Sequence, residues 1–153
     1  CTRCLDACPT QALPAPGVLD ASRCITTWNL EQKGRVPEAL WAQHHGWAAG
    51  CDICQTVCPF NARAAGADAE LLEPLPWQAL TLSQAIGMDE AAFDQAFPAS
   101  ALRRAGWKGL RLGAITAAGC ERAAACRESL ERCLGDADAD IRARAEWALK
   151  HLP

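Results

Sequence analysis

The sequence has no tyrosine, one methionine and three phenylalanines, so six tryptophans supply most of its aromatic content. Alternating strand patterns are scarce, which excludes a β-rich fold. Positive charge is not in excess: fifteen Lys and Arg stand against eighteen Asp and Glu, leaving a net charge of −3. That excludes a general affinity for nucleic acid or membranes. No apolar run approaches the ~20 residues of a membrane span, and no basic, apolar, small-residue leader is present. A cytoplasmic, monomeric protein with no membrane contact is expected. The 153 residues hold one domain or two small ones.

Cysteine is abundant, with ten in the chain. Seven fall in two copies of one pattern and a link between them. Cys1-Thr2-Arg3-Cys4-Leu5-Asp6-Ala7-Cys8-Pro9 and Cys51-Asp52-Ile53-Cys54-Gln55-Thr56-Val57-Cys58-Pro59 both read C-x2-C-x3-C-P. Two residues between cysteines let one tight turn supply two thiolates to one iron–sulfur cube. In the bacterial ferredoxin run C-x2-C-x2-C-x3-C-P, the fourth cysteine serves the other cluster. The closing proline fixes the backbone where the ligand loop ends.

The spacing therefore divides the cysteines. Cys8, Cys24, Cys51 and Cys54 form one complete ligand set, with residues 25–50 inserted in the motif. Cys1, Cys4 and Cys58 form a second set, whose fourth cysteine falls just before residue 1. Because the chain starts on Cys rather than Met, a fragment cut inside its first motif is expected; otherwise that cluster has three irons or an outside ligand. Two other readings compete. Ten cysteines fit a disulfide scaffold, but C-x3-C-P is not a disulfide signature. Zinc ribbons use paired C-x2-C knuckles, but need no third cysteine followed by proline. With two [4Fe-4S] clusters, metal binding and folding are coupled.

The predicted fold is mostly α with little β: a bacterial two-cluster ferredoxin-like domain over residues 1–73, then an α-helical HEAT-like repeat region over 74–153. Val18-Leu19-Asp20 is a brief strand or turn. Pro37 starts a helix over Glu38-Ala39-Leu40-Trp41, and His44 and His45 are read as a polar loop or helix end rather than as ligands. Trp28, Trp41 and Trp47 are core residues or shields for a cluster. Phe60 to about Glu73 is a link, with the domain boundary near Glu73. Thr81-Leu82-Ser83-Gln84 is a capping box, and Asp89 caps a helix carrying Phe93. A third helix is predicted from about Ser100 toward Ala118, weakened by Gly106, Gly109 and Gly113. A fourth runs from about Glu121 to Leu134. The last has an apolar face of Ile141, Ala145, Ala148 and Leu149, and a single HEAT-type repeat of this kind must stack on neighbours. Cys120, Cys126 and Cys133 lack ligand spacing and read as small helix residues or free thiols. Arg103, Arg104, Lys108 and Arg111, with Trp107 beside them, form the one basic cluster, either a phosphate contact or a solvated helix face.

Cys8-Pro9-Thr10, Arg23-Cys24-Ile25, Gly50-Cys51-Asp52-Ile53-Cys54-Gln55, Cys58-Pro59-Phe60-Asn61 and Ala101-Leu102-Arg103-Arg104-Ala105 together resemble the epoxyqueuosine reductase family. The resemblance implies a cobalamin-binding catalytic domain upstream, then the two clusters, then helical repeats. It implies reduction of epoxyqueuosine to queuosine in the anticodon of tRNA, with clusters passing single electrons from an outside donor to cobalamin. By the same resemblance this chain holds the electron relay and part of the tRNA grip, at Arg103, Arg104, Lys108 and Arg111. It contains no catalytic residue and is inactive alone. The chain departs from the family at Thr27-Trp28-Asn29-Leu30-Glu31 and at Phe60, where Trp is usual. The alternatives are a stand-alone two-cluster ferredoxin-type electron carrier, a reductive dehalogenase-type enzyme, for which the HEAT-like tail has no reason, and a zinc-stapled interaction protein.

Overall fold

The computed structural model describes residues 1–63 and 79–153. Among these residues there are seven α-helices: α1 (Arg3–Ala7), α2 (Ile53–Thr56), α3 (Leu82–Gly87), α4 (Glu90–Ala96), α5 (Gly106–Cys120), α6 (Arg127–Cys133) and α7 (Ala139–His151). Among the described residues, backbone pairing of the β type is confined to one isolated bridge, Ala15 with Val18, so the Val18 segment is a turn. The chain is mostly helical, as its composition requires. No helix among the described residues is long and apolar enough to cross a membrane.

Helix α5 is the centre. From Gly109 to Gly119 every residue except Arg111 is buried, as befits a helix covered on all sides. Helices α3, α4 and α7 pack on it, and α6 packs on α7 and α3. Their core is Ile86, Phe93, Phe97, Leu110, Leu112, Ile115, Leu130 and Ile141 with smaller residues between. Local chemistry sets the helix starts. Thr81 accepts from Gln84 N–H (3.2 Å) while the Gln84 carboxamide oxygen accepts from Thr81 N–H (2.9 Å). Asp89 accepts from Ala92 N–H (2.8 Å), and Asp138 from Asp140 N–H (2.9 Å). Each such cap contributes about 1 kcal/mol.

Two predicted helices are corrected. The one expected from Ser100 is a 3₁₀ turn at Ala101–Arg104, and α5 starts at Gly106, whose φ of +68° breaks the run. The one expected over 121–134 is divided. α5 ends with Arg122 at φ +52°, Ala123 N–H on Ala118 O (2.9 Å) and Arg122 N–H on Gly119 O (3.2 Å). This pair of bonds is the Schellman arrangement that stops a helix; a 3₁₀ turn at Ala124–Cys126 and then α6 follow. The link beyond Arg63 and the boundary near Glu73 lie outside the described residues.

Residues 25–50 join the two halves. A π-helical turn at Thr27–Glu31 and a 3₁₀ helix at Glu38–His44 rest on α5. Ile25, Trp28, Val36 and Trp41 form a second, smaller core, so Trp28 and Trp41 are core residues. Contact with α5 is close because two of its residues lack a Cβ. At Gly109 a Cβ would lie 3.1 Å from Lys33 Cα, and at Gly113 it would overlap the Ala48 carbonyl oxygen. The glycines that weakened the helix in the sequence are where this insertion seats. From α7, the buried Arg144 donates to Gly34 O (2.7 Å) and Thr116 Oγ1 (3.0 Å), and its guanidinium lies 4.4 Å from the Trp41 ring centroid. Burial lowers its pKa to about 10, so it is charged at neutral pH.

His44 ends the 3₁₀ helix as expected, but it is no polar loop residue: its side chain is fully buried, tilted against Trp28. Nδ1 lies 3.2 Å from Trp41 O and 3.3 Å from Leu40 O, so it carries the hydrogen, and Nε2 has no partner. Burial first, and then the Arg144 charge, hold its pKa at about 4, below the ordinary 6.5.

Two outcomes follow from this packing. Gly113→Ala drives a methyl group into backbone and should destabilise by about 1–3 kcal/mol, read by denaturant unfolding. A gain near the ~1 kcal/mol of ordinary helix propensity would contradict the seat. His44 stays neutral when folded, while the unfolded chain takes a proton between pH 6.5 and 4. Stability is therefore complete above pH 6.5 and falls through that window by up to about 3 kcal/mol. The stability advantage of wild type over His44→Gln should shrink by that amount on acidification; a constant difference from pH 7 to 4 would refute it.

Candidate metal centre

The two cysteine motifs fold alike because their sequences repeat. In each, the residue after the first cysteine takes nearly the same bridge-region conformation: Thr2 has φ −115°, ψ 4° and Asp52 has φ −110°, ψ 12°. A short helix then carries the second cysteine, Cys4 on α1 and Cys54 on α2, and α1 and α2 pack together. Cys8 leaves α1 in an extended conformation (φ −69°, ψ 112°).

Cys8, Cys24, Cys51 and Cys54 line one cavity of about 60 Å³, walled by Pro9, Thr10, Ala12, Leu13, Leu19, Ile25 and Ile53. Four sulfurs from separated stretches thus meet in an apolar setting. That volume is far below the ~300–1,000 Å³ of organic ligand sites. The cysteines act on one another: burial, and then the charges of Cys24, Cys54 and Cys8, push the Cys51 thiol up, and burial with Cys24 and Cys8 pushes up Cys54. Mutual repulsion of this kind is relieved by a cation, which deprotonates coordinating thiols outright. Cys8 is set differently. Burial raises its pKa, but the Thr10 hydroxyl (3.6 Å), Ala12 N–H (3.2 Å) and further backbone donors lower it, and the balance is downward.

Cys1 is exposed and Cys4 partly buried. Cys58 opens on a separate cleft lined by Arg3, Asp6 and Ala7 of the first motif and by Thr56, Val57 and Ala62. Cys58 therefore faces the first motif, as Cys8 faces the second. Cys1 and Cys4 do not line the cleft on which Cys58 opens.

All ten cysteines are free, so no disulfide scaffold is present. Among the described residues no three His, Cys, Asp or Glu side chains converge on a single-ion site. Four thiols from separated stretches round one small cavity, with the repeated C-x3-C-P pattern, are the kind of donor set an iron–sulfur cluster takes. Cys120, Cys126 and Cys133 stand apart: Cys120 donates to Trp41 O (3.4 Å), and the other two are buried in the helical core.

The basic cluster is neutralised within the fold. Arg103 pairs with Asp94 (2.8 Å) and Arg104 with Glu31 (2.5 Å). Lys108 lies between Asp138 (2.6 Å) and Asp140 (2.9 Å), whose hydrogen bonds raise its pKa. Arg111 bonds Asp136 (3.0 Å) and Ile86 O (2.8 Å), with its guanidinium 5.7 Å from the Trp107 ring centroid. Arg103 and Arg104 keep exposed side chains; Lys108 and Arg111 are largely covered.

Sequence reasoning missed Asn29. Its fully buried carboxamide accepts from Gly50 N–H and donates to Gly50 O, both at 3.0 Å, beside Cys51. The signal was present: Ile25, Trp28 and Asn29 share one face at helical spacing, a lone polar residue among apolar ones.

The 4Fe-4S double cluster binding domain family matches residues 1–61. Epoxyqueuosine reductase of Gloeobacter violaceus is 43% identical over 125 residues, 78% of this chain and 39% of that protein. The enzyme of the same name from Xanthomonas campestris pv. campestris is 37% identical over 154 residues, 97% of this chain and 42% of that protein. A crystal structure of epoxyqueuosine reductase with a tRNA-Tyr epoxyqueuosine-modified tRNA stem loop superposes with a TM-score of 0.87 at 34% identity, over 99% of this chain and 40% of that one. The Bacillus subtilis structure gives 0.75 at 27% identity, over 100% of this chain and 50% of that one. The chain spans about two fifths of the length of the curated relatives it matches. By sequence and by fold, this chain belongs to the epoxyqueuosine reductase family.

Proposed function

We propose that the chain is the electron-relay portion, and part of the tRNA-contacting portion, of an oxidoreductase that reduces epoxyqueuosine to queuosine in tRNA. The observation that carries this reading is the single small cavity lined by Cys8, Cys24, Cys51 and Cys54. Those four thiolates hold one [4Fe-4S] cluster. Cys1, Cys4 and Cys58 hold the other, with a fourth ligand upstream. When bound, the clusters supply single-electron transfer. The protein's own part is to place the sulfurs, exclude water with Ala12, Leu13 and Ile25, and donate to Cys8 Sγ from Ala12 N–H and Thr10, contacts that tune a cluster's potential.

Cobalamin is bound mostly by the rest of the protein. The portion acts in the cytoplasm, in a monomer, on electrons from an outside donor, and carries no catalytic residue of its own. Residues 1–73 and 74–153 are its two domains, the second a HEAT-like stack to which α6 and α7 contribute a pair.

For the tRNA grip, Arg103 and Arg104 are favoured over Lys108 and Arg111. Exposed ion pairs such as those with Asp94 and Glu31 are worth about 0–1 kcal/mol and exchange readily for phosphate. Lys108 and Arg111 are held by carboxylates inside the fold.

In the full-length protein purified without oxygen, about eight irons with matching sulfide are expected. Cys24→Ala should remove about half, while Cys133→Ser leaves the count unchanged; stoichiometric zinc without sulfide would end the cluster reading. Arg103→Ala with Arg104→Ala should weaken binding of an epoxyqueuosine-containing stem loop and flatten its salt dependence by roughly 1–2 in log–log slope. Unchanged affinity and slope would remove both from the grip, and absence of any tRNA binding would favour a stand-alone electron carrier.

A further inference from the structure

We infer that Asn29 is a positioning residue for the Cys8/Cys24/Cys51/Cys54 centre: its carboxamide docks the Gly50–Cys51 peptide against the segment that follows Cys24. The inference rests on the cluster reading above and goes beyond it by assigning the work of closure to one side chain.

The observations start from spacing. In a contiguous motif two intervening residues hold adjacent ligands together. Here residues 25–50 separate Cys24 from Cys51, and covalent proximity is lost. Yet both cysteines line the same cavity, so something other than the chain must bring them together. Asn29 makes that connection directly. Its Nδ2–H donates to Gly50 O at 3.0 Å and to Trp47 O at 3.3 Å, and its Oδ1 accepts from Gly50 N–H at 3.0 Å. Both polar groups of residue 50 are therefore consumed by one side chain, which ties down the peptide units on either side of its Cα. The next residue is a proposed ligand.

The other end of the connection is equally short. Asn29 lies in the π-helical turn Thr27–Glu31, closed by Gln32 N–H on Thr27 O at 2.8 Å; such turns are rare and cluster at functional sites. That turn follows Cys24 at once, with Trp28 N–H on Cys24 O at 3.1 Å. From Cys24 O to Cys51 N the path is Trp28, Asn29, Gly50.

Chemistry excludes most substitutes. Asn29 is fully buried, and each lost bond leaves a peptide group of the part-buried Trp47 or Gly50 without its partner. Only a primary carboxamide offers one acceptor and two donor hydrogens at this reach. Gly50 completes the device, since its φ of +69° is a conformation that side-chain-bearing residues rarely adopt.

The test uses the full-length protein, anaerobically purified, with Asn29→Leu, which keeps the volume and removes all three bonds, and Asn29→Ser, which keeps one acceptor. Wild type should hold both clusters. Asn29→Leu should hold about half the iron and sulfide. Asn29→Ser should lose iron to a chelator at least about tenfold faster and shift the midpoint potential of one cluster while leaving the other unmoved. If Asn29→Leu fails to fold, the serine variant decides. Wild-type iron content, release rate and both potentials in the serine variant would overturn the assignment. A wild-type protein without clusters would instead overturn the relay reading, and exchange of the Gly50 amide hydrogen then judges the clamp alone: faster exchange in Asn29→Ser supports it, and equal exchange sinks it.

Discussion

Four thiols in one cavity repel one another as soon as they ionise, and the remaining structure answers that repulsion. Cys51 and Cys54 are held up by burial and by their sulfur neighbours, whereas Cys8 is held down by donors from Thr10 and Ala12. The set is therefore unequal before any metal arrives. The Cys8 thiol is the easier to ionise, and the Cys51 and Cys54 thiols are the harder. A set of ligands drawn from separated stretches of chain must be braced from outside.

The bracing comes from residues 25–50, which would otherwise be a liability. Closing a loop of this length costs about 3 kcal/mol in chain entropy, and each doubling adds only about 0.6. The cost is offset by packing. Ile25, Trp28, Val36 and Trp41 form their own small core, Gly109 and Gly113 let Lys33 and Ala48 approach α5 to backbone contact, and the buried Arg144 binds Gly34 O. The insertion is thus an adaptor. It carries the position of the helical core to the sulfurs through hydrogen bonds and contacts that do not depend on the cysteine motifs.

Legibility followed sequence distance. The cysteine motifs were readable because ligand spacing is local and both copies obey it. The caps at Thr81, Asp89 and Asp138 were readable for the same reason, except that Asp138 appeared in the sequence only as part of a turn. Other features were hidden because their causes are non-local. The glycines of α5 look like defects until Lys33 and Ala48 are seen against them. The basic stretch 103–111 looks like an open cationic face because its partners Glu31, Asp94, Asp136, Asp138 and Asp140 lie elsewhere in the sequence. His44 looks polar and is buried, with one nitrogen unpaired. The break between α5 and α6 depends on a left-handed Arg122, a conformation that no residue type there announces.

The proposed electron relay would place a particular demand on this arrangement. Gaining or losing one electron changes the charge of a cluster, and each shift of its ligands in response adds to the barrier. Ligands on loops must therefore be held as firmly as ligands on helices, and sites built on rigid elements hold their geometry best. Cys4 and Cys54 satisfy this by lying on α1 and α2. Cys24 and Cys51 lie on irregular chain, and rigidity is supplied by buried polar contacts that cannot be traded for water. A carboxamide at Asn29, a guanidinium at Arg144 and an imidazole at His44 are costly to bury. Their presence round the adaptor, rather than in the helical core alone, is what a fold gains by spending stability on the exact placement of two sulfurs.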